Sequence, residues 1–156
     1  MRRLLTVLFL LGSLLAVASA SAAGAATGRV VKVLPLFLDL SGRESTTPSL
    51  YDRDAYQVFL RAHAEERSAM SFDVLWKASK TADEKVKIRV ELRGIGAKSM
   101  PRQAVLEQEV KPRFFRSWTS VVFRGDEYKN FGEVVAWRTT LWSGDQLIGE
   151  QKSFLW

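Results

Sequence analysis

The sequence predicts a mostly β protein, an antiparallel β-sandwich of about seven strands with one inserted helix after the first strand. Apolar and polar residues alternate with a period of two through most of the chain after residue 69. The alternating segments recur at a spacing of roughly a dozen residues, which is typical of β-sandwiches. One earlier stretch has instead the period of about 3.6 that indicates an amphipathic helix.

The first strand is predicted over residues 29–40, a run rich in β-branched and aliphatic side chains. Pro35 lies near its middle. Because proline has no backbone N–H to donate to a neighbouring strand, this run is predicted to form an edge strand.

The helix is predicted to begin after Ser49. Ser49 and Asp52 have the spacing of a capping box, in which side chains bond the free N–H groups of the first turn. The apolar residues that follow share one helical stripe, at Tyr51, Ala55, Val58, Phe59 and Ala62. We expect this stripe to be buried and His63 to end the helix, close to its free carbonyl groups.

The second, third and fourth strands follow from the alternation. The predicted inward residues of the second strand are Met70, Phe72, Val74 and Trp76. Those of the third strand are Val86, Ile88, Val90 and Leu92. After a turn over residues 94–101, those of the fourth strand are Ala104, Leu106 and Val110.

The last three strands lie on either side of a single helical turn predicted at residues 126–132 and closed by glycine. The predicted inward residues of the fifth strand are Phe115, Thr119, Val121 and Phe123. Those of the sixth strand are Val135, Trp137, Thr139 and Leu141. Residues 143–145 read Ser-Gly-Asp and predict a hairpin turn into a seventh strand over residues 146–156.

This order of strands resembles the immunoglobulin-like or fibronectin-type superfold. One local feature agrees with the resemblance: Tyr128 lies just before the sixth strand, where such sandwiches often carry a corner tyrosine. The cysteine pair of true immunoglobulin domains is absent from the sequence. The resemblance concerns architecture and implies an immunoglobulin-like sandwich, without a function.

Residues 1–22 have the three parts of a signal peptide. Two arginines come first, an apolar run occupies residues 4–17, and small residues follow. The apolar run is shorter than the ~20 residues that a transmembrane helix needs. We therefore expect export, with cleavage after Ala20 or Ala22.

Cleavage predicts three segments: a signal peptide at 1–22, a short flexible N-terminus at 23–28, and the β-sandwich domain at 29–156. The net charge falls from +6 to +4, because the two arginines are the only charged residues of the signal peptide. The mature protein is expected in the periplasm or outside the cell, with no transmembrane segment.

The composition argues against several classes of enzyme. The chain has no cysteine and a single histidine, His63, so it lacks thiolate and multi-histidine metal sites. It has neither the G-x-S-x-G motif of serine hydrolases nor a P-loop. Asp52 and Asp54 lie in the first turn of the predicted helix, where acidic residues stabilise the helix end. The sequence therefore predicts no catalytic residue, no metal site and no cofactor.

One exposed face of the fifth strand is the candidate partner-binding site. If the inward residues of the fifth strand are as given above, alternation places five residues on its opposite face: Phe114, Arg116, Trp118, Val122 and Arg124. Aromatic and arginine side chains dominate interface hot spots, so this face could bind a partner. The alternative, which we favour from sequence, is that Tyr51 and Phe59 of the helix pack on Trp118 and cover it.

We expect an exported, non-catalytic binding or structural module of the bacterial cell envelope or extracellular space. Its partner would be a protein or an anionic envelope polymer, without specific nucleic-acid binding. Two alternatives stay open. A cell-envelope hydrolase would use a pair of carboxylates, and a small outer-membrane β-barrel would suit the alternating third strand and the terminal Trp156.

Overall fold

The computed structural model describes residues 26–79, 85–113 and 115–156. Its elements in chain order are β1 (Gly28–Asp39), α1 (Leu50–Ala62), β2 (Arg67–Ala78), β3 (Val86–Ile95), β4 (Pro101–Val110), β5 (Ser117–Arg124), α2 (Gly125–Phe131), β6 (Glu133–Ser143) and β7 (Gln146–Lys152). Short 3₁₀ turns lie at Ala64–Glu66 and Ala97–Ser99. The predicted signal peptide, 1–22, lies outside the described residues.

The seven strands form two antiparallel sheets, one of order β1-β2-β5 and one of order β4-β3-β6-β7. The predicted mostly β fold, with a helix after the first strand, is confirmed. The immunoglobulin-like arrangement is not confirmed. Constant-type immunoglobulin domains place their fourth strand in the sheet of the first, second and fifth strands. Here β4 pairs with β3 in the other sheet.

The core lies between the inner faces of the two sheets. From β2 it contains Met70, Phe72, Val74 and Trp76, and from β3 Val86, Ile88, Val90 and Leu92, all buried. The inward faces predicted for the second and third strands are therefore confirmed. Burying a side chain of this size contributes about 1.5–3 kcal/mol to stability, so the two strands form the centre of the fold.

The sixth strand differs from the prediction at its start. Arg93 pairs with Ala136 and Gly94 pairs with Val134, so the register shifts and leaves Val135 between the two pairs. Such a bulge reverses the alternation on its N-terminal side. Val135 is therefore exposed and Val134 packs against the core, whereas the later predicted positions, Trp137, Thr139 and Leu141, keep their inward direction.

The helix begins and ends where the sequence predicts. Ser49 is the N-cap, and its hydroxyl accepts a hydrogen bond from the backbone N–H of Asp52 at 3.3 Å. His63 is the C-cap, and its ring Nδ1–H donates to the carbonyl of Phe59 at 2.9 Å. These local signals are sufficient to set both ends of α1.

The buried face of α1 is not the predicted one. Tyr51 and Val58 are exposed, whereas Leu60 is fully buried in the core. The face turned towards β1 carries Arg53, Tyr56, Gln57 and Leu60, which also have helical spacing. The prediction was wrong because two polar side chains orient the helix: Tyr56 donates to Asp39, and Gln57 bonds the backbone of Phe37.

The first strand is an edge strand, as its proline predicts. Directly before it, Thr27 and Ser79 are joined by two hydrogen bonds, of 2.7 and 2.9 Å. These bonds fasten part of the segment 23–28, whose residues 23–25 lie outside the described chain. None of the helices in the described ranges has the length and apolar character needed to cross a bilayer.

The helical turn predicted before the sixth strand is confirmed as α2, and it ends at Gly132. The φ angle of Gly132 is +89°, and a Cβ at this position would meet the carbonyl of Ile95, so glycine is required. Tyr128 lies within α2. Its ring packs edge-on against Phe123 at 5.7 Å, and Phe131 does the same at 5.1 Å. These contacts fasten α2 to the end of β5.

Candidate functional site

A groove runs along one side of the molecule between β4 and β5. Three open cavities, of about 630, 540 and 440 Å³, follow one another along these strands. The first two share Gln108 and Ser120, and the second and third share Val105. They therefore form one continuous groove.

The groove follows from the strand order. Within the described ranges β5 pairs only with β2, and β4 pairs only with β3, so each is the last strand of its sheet. The two strands lie on the same side of the sandwich. On the opposite side β1 and β7 are in contact and close the sandwich. Each edge strand leaves one row of backbone N–H and C=O groups outside the ladder.

The side chains of β5 point alternately to the core and away from it. Val121 and Phe123 are buried, and Thr119 accepts a 2.9 Å hydrogen bond from the indole N–H of Trp76. Trp118 and Val122 therefore point away from the core, and they are 53% and 37% exposed.

Three members of the predicted partner-binding face, Trp118, Val122 and Arg124, lie on this outer side of β5, and the fourth, Arg116, lies just before the strand and lines the same cavity as Trp118. The fifth, Phe114, lies outside the described residues. Phe115 was predicted to point inward, but it is 76% exposed. The prediction was wrong because the pairing with β2 begins at Ser117, so the alternation does not extend back to residue 115.

The helix does not cover this face. It packs beside β1, at the far edge of the same sheet. Tyr51 is 83% exposed, and the ring of Phe59 stacks on Tyr56 and His63 within the helix itself. The favoured expectation, that Tyr51 and Phe59 bury Trp118, is therefore wrong, and the open face is observed.

The largest of the three cavities forms the wide part of the groove, and its lining is basic and aromatic. Its lining contains three cationic side chains, Lys111, Arg113 and Arg116, and two indoles, Trp76 and Trp118. No carboxylate occurs among the described residues that line this part. Cations without a neighbouring acid create a positive potential in the cleft, which attracts anionic groups.

The opposite end of the groove has a mixed charge. There Arg102 lies with Asp126 and Glu127, the two acidic residues in the first turn of α2. The two ends of the groove therefore differ in charge: cationic side chains line the end near Arg116, and both acidic and basic side chains line the end near α2.

Several carboxylates form ion pairs on the outer face of the four-stranded sheet, and one of them, Glu107, also lines the middle cavity of the groove. Arg138 lies 3.5 Å from Glu91 and 3.2 Å from Glu150, and Lys87 lies 3.2 Å from Glu107. At the end of β4 the ion pair with Glu109 raises the pKa of Lys85. Across residues 26–79, 85–113 and 115–156, no three His, Cys, Asp or Glu side chains come close enough to hold a metal ion.

The sequence predicted one side of the groove, formed by β5, but not the other side, formed by β4. Gln108 and Val110 of β4 line the wide part, together with Lys111 and Arg113. Their alternation identified a strand, but nothing in it showed that β4 and β5 lie side by side. The strand order was needed for that.

Comparison with known proteins gives no relative for this chain. No protein-family model, no curated protein and no solved structure matches it.

Proposed function

We propose that the protein is an exported, non-catalytic binding module that holds an anionic partner in the β4–β5 groove. It acts in the periplasm or outside the cell, and its partner is a protein or an anionic envelope polymer. The observation that carries this proposal is the wide part of the groove, a cavity of about 630 Å³. Three cations and two indoles line it, and none of the described lining residues is acidic.

Burial and charge support binding at this position. Trp118 keeps about half of its surface in water, although tryptophan is usually well buried in a folded chain. Tryptophan and arginine are the residues most often found at binding hot spots. Trp118 and Arg116 line the same cavity, so a single partner can contact both.

The rest of the chain supports a binding role more than a catalytic one. His63 donates to a helix carbonyl and stacks on Phe59, away from the groove. Asp52 is engaged at the helix start, where it accepts from the hydroxyl of Thr47 at 2.8 Å. His63 and Asp52, whose side chains are suited to acid–base or metal chemistry, thus make local structural contacts instead.

The test compares two triple variants with the same net charge. Replacement of Lys111, Arg113 and Arg116 by alanine removes the cations of the wide part. Replacement of Arg61, Lys129 and Lys152 removes three exposed cations outside the groove. Affinity for fluorescent poly-L-glutamate is measured by anisotropy over a range of salt concentrations.

The groove variant should bind at least ~10-fold more weakly, and the control should change by less than ~3-fold. An equal loss in both variants would mean that only the overall charge matters, and it would contradict the proposal. Circular dichroism on both variants establishes that they are folded.

A further inference from the structure

The four strand edges of the molecule differ in how they are protected against pairing with another chain. Exposed edges readily add a strand, and proteins usually prevent this with proline, bulges, charges or a covering segment. Among the described residues, three edges have such protection. The edge of β5 has only the arginines at its two ends, Arg116 and Arg124.

The edge of β1 is covered. Gln57 bonds both the N–H and the carbonyl of Phe37, Pro35 removes one donor, and the register shifts between Val30 and Lys32. On the other sheet, Gly149 of β7 lies against the backbone of Arg29 and Val30, which leaves no room for a side chain. These two edges cover each other.

The edge of β4 is protected by proline and charge. The strand begins with Pro101, and its exposed face carries Glu107 and Glu109, which pair with lysines 87 and 85. An incoming strand would meet these charges directly.

The edge of β5 is regular along its whole length. Every residue from Ser117 to Arg124 pairs with β2 without a register shift, and the strand contains no proline, glycine or lysine. Its outer face presents Trp118 and Val122, which are large and partly exposed. A regular edge without proline or a bulge, beside exposed apolar side chains, is the usual acceptor for strand addition.

A second copy of β5 is a poor partner for this edge. Antiparallel pairing centred on Ser120 would place Arg116 opposite Arg124 at both ends of the new ladder. Like charges directly opposite each other are destabilising in a sheet. The same two arginines favour a strand that carries acidic residues at those positions.

We infer that the partner is an extended, acidic segment of another polypeptide, which adds to β5 as a fourth strand of the β1-β2-β5 sheet. This inference rests on the proposed function and specifies its partner. The segment pairs with the backbone of residues 117–124. Its acidic residues lie eight positions apart, opposite Arg116 and Arg124, a span of about 27 Å at the rise of a strand. Between them, apolar residues at every second position pack on Trp118 and Val122.

The test uses three synthetic nine-residue peptides with the same side chains. Glutamate occupies both ends, valine the third, fifth and seventh positions, and threonine the remaining ones. One peptide has a normal backbone, one is N-methylated at the odd positions, and one at the even positions. Because successive N–H groups of a strand point to opposite edges, only one methylated set faces β5.

The normal peptide should bind, one methylated peptide should lose at least ~10-fold in affinity, and the other should bind as the normal one does. Equal affinity of all three would mean that side chains alone hold the peptide, and it would overturn strand addition. Equal loss in both methylated peptides, or no binding of the normal peptide at millimolar concentration, would also overturn it.

A charge exchange tests the register. The double variant Arg116→Glu and Arg124→Glu should no longer bind the glutamate peptide. It should instead bind a peptide with lysine at both ends. Binding of the lysine peptide by the original protein but not by the variant would contradict the placement. Circular dichroism confirms folding.

The outcomes separate this inference from the proposed function. If all three peptides bind equally while the Lys111, Arg113 and Arg116 variant loses poly-L-glutamate, the groove binds anions but adds no strand. If poly-L-glutamate binding does not depend on those three cations, the proposed function itself fails. Binding of the protein to phosphatidylglycerol vesicles without binding of the normal peptide would overturn the choice of a polypeptide.

Discussion

The side-chain amide of Gln57 takes the place of a neighbouring strand for Phe37. Its Oε1 accepts from the Phe37 N–H at 2.7 Å, and its Nε2 donates to the Phe37 carbonyl at 2.9 Å. The same Nε2 also donates to the carbonyl of Glu44 at 2.9 Å. One helical side chain thereby satisfies the outward backbone groups of Phe37 at the edge of β1 and also bonds the loop before the helix.

Replacing Gln57 with leucine should lower the free energy of unfolding by about 1–3 kcal/mol, because the Phe37 backbone groups lose their partners. Urea unfolding measures this. The control is Gln146→Leu, at an exposed position, which should change stability by less than about 0.5 kcal/mol. The same urea midpoint for Gln57→Leu and the original protein would show that water replaces the amide without cost.

Two tryptophans should respond differently to truncation. Trp76 is 2% exposed and Trp118 is 53% exposed. Trp76→Ala leaves a cavity and removes the hydrogen bond to Thr119, so it should cost ~3–5 kcal/mol. Trp118→Ala should cost less than about 1 kcal/mol and should weaken peptide binding at β5. A large loss of stability in Trp118→Ala would mean that another segment covers this face.

Thr139 and Thr140 are adjacent in sequence, but replacing each with valine should affect stability differently. Thr139 is fully buried, and its hydroxyl has no partner within the described residues. Thr139→Val should therefore leave stability unchanged or raise it by up to about 1 kcal/mol. The Thr140 hydroxyl accepts from the indole N–H of Trp142 at 2.9 Å, so Thr140→Val should cost about 1 kcal/mol. Thermal unfolding of both variants checks the contrast, which a larger loss in Thr139→Val would refute.

The stability of the protein should depend on Asp39 in acid. Burial alone would raise the pKa of Asp39, but the backbone N–H groups of Arg43 and Ser41, the Tyr56 hydroxyl and the Arg43 side chain together lower its pKa below 3.8. The ionised form is therefore favoured in the folded state. Its stabilising contribution is present above the unfolded pKa and is lost as the pH falls through the lower, folded value.

Asp39→Asn should thus destabilise the protein at neutral pH, and the difference from the original protein should shrink as the pH falls below 3.8. Urea unfolding at pH 7 and at several lower values measures it. The control is Asp145→Asn in the exposed β6–β7 turn, which should show no such trend. A difference that stays constant with pH would exclude the carboxylate as its source.

Export predicts a defined start for the mature chain. Protein recovered from the envelope or medium of its native host should begin at Ser21 or Ala23, because small residues precede both cleavage points. Intact-mass measurement identifies the first residue. A product that retains Met1 would contradict export with cleavage.

Features that depend on neighbouring residues were predictable from the sequence. The alternation of Phe72, Val74 and Trp76 identified a buried strand face, because successive side chains of any strand point to opposite sides. The helix ends at Ser49 and His63 followed from local hydrogen bonds. Seven strands with one helix after the first are the sum of such local signals.

Only the tertiary structure decided which surfaces meet. The apolar stripe with Tyr51 predicted the wrong buried face of α1, since the hydrogen bonds of Tyr56 and Gln57 to β1 join residues about twenty positions apart and leave no periodic signal. The groove likewise requires β4 and β5 to end their sheets on the same side. That depends on strand order, and alternation within a strand carries no information about its neighbour.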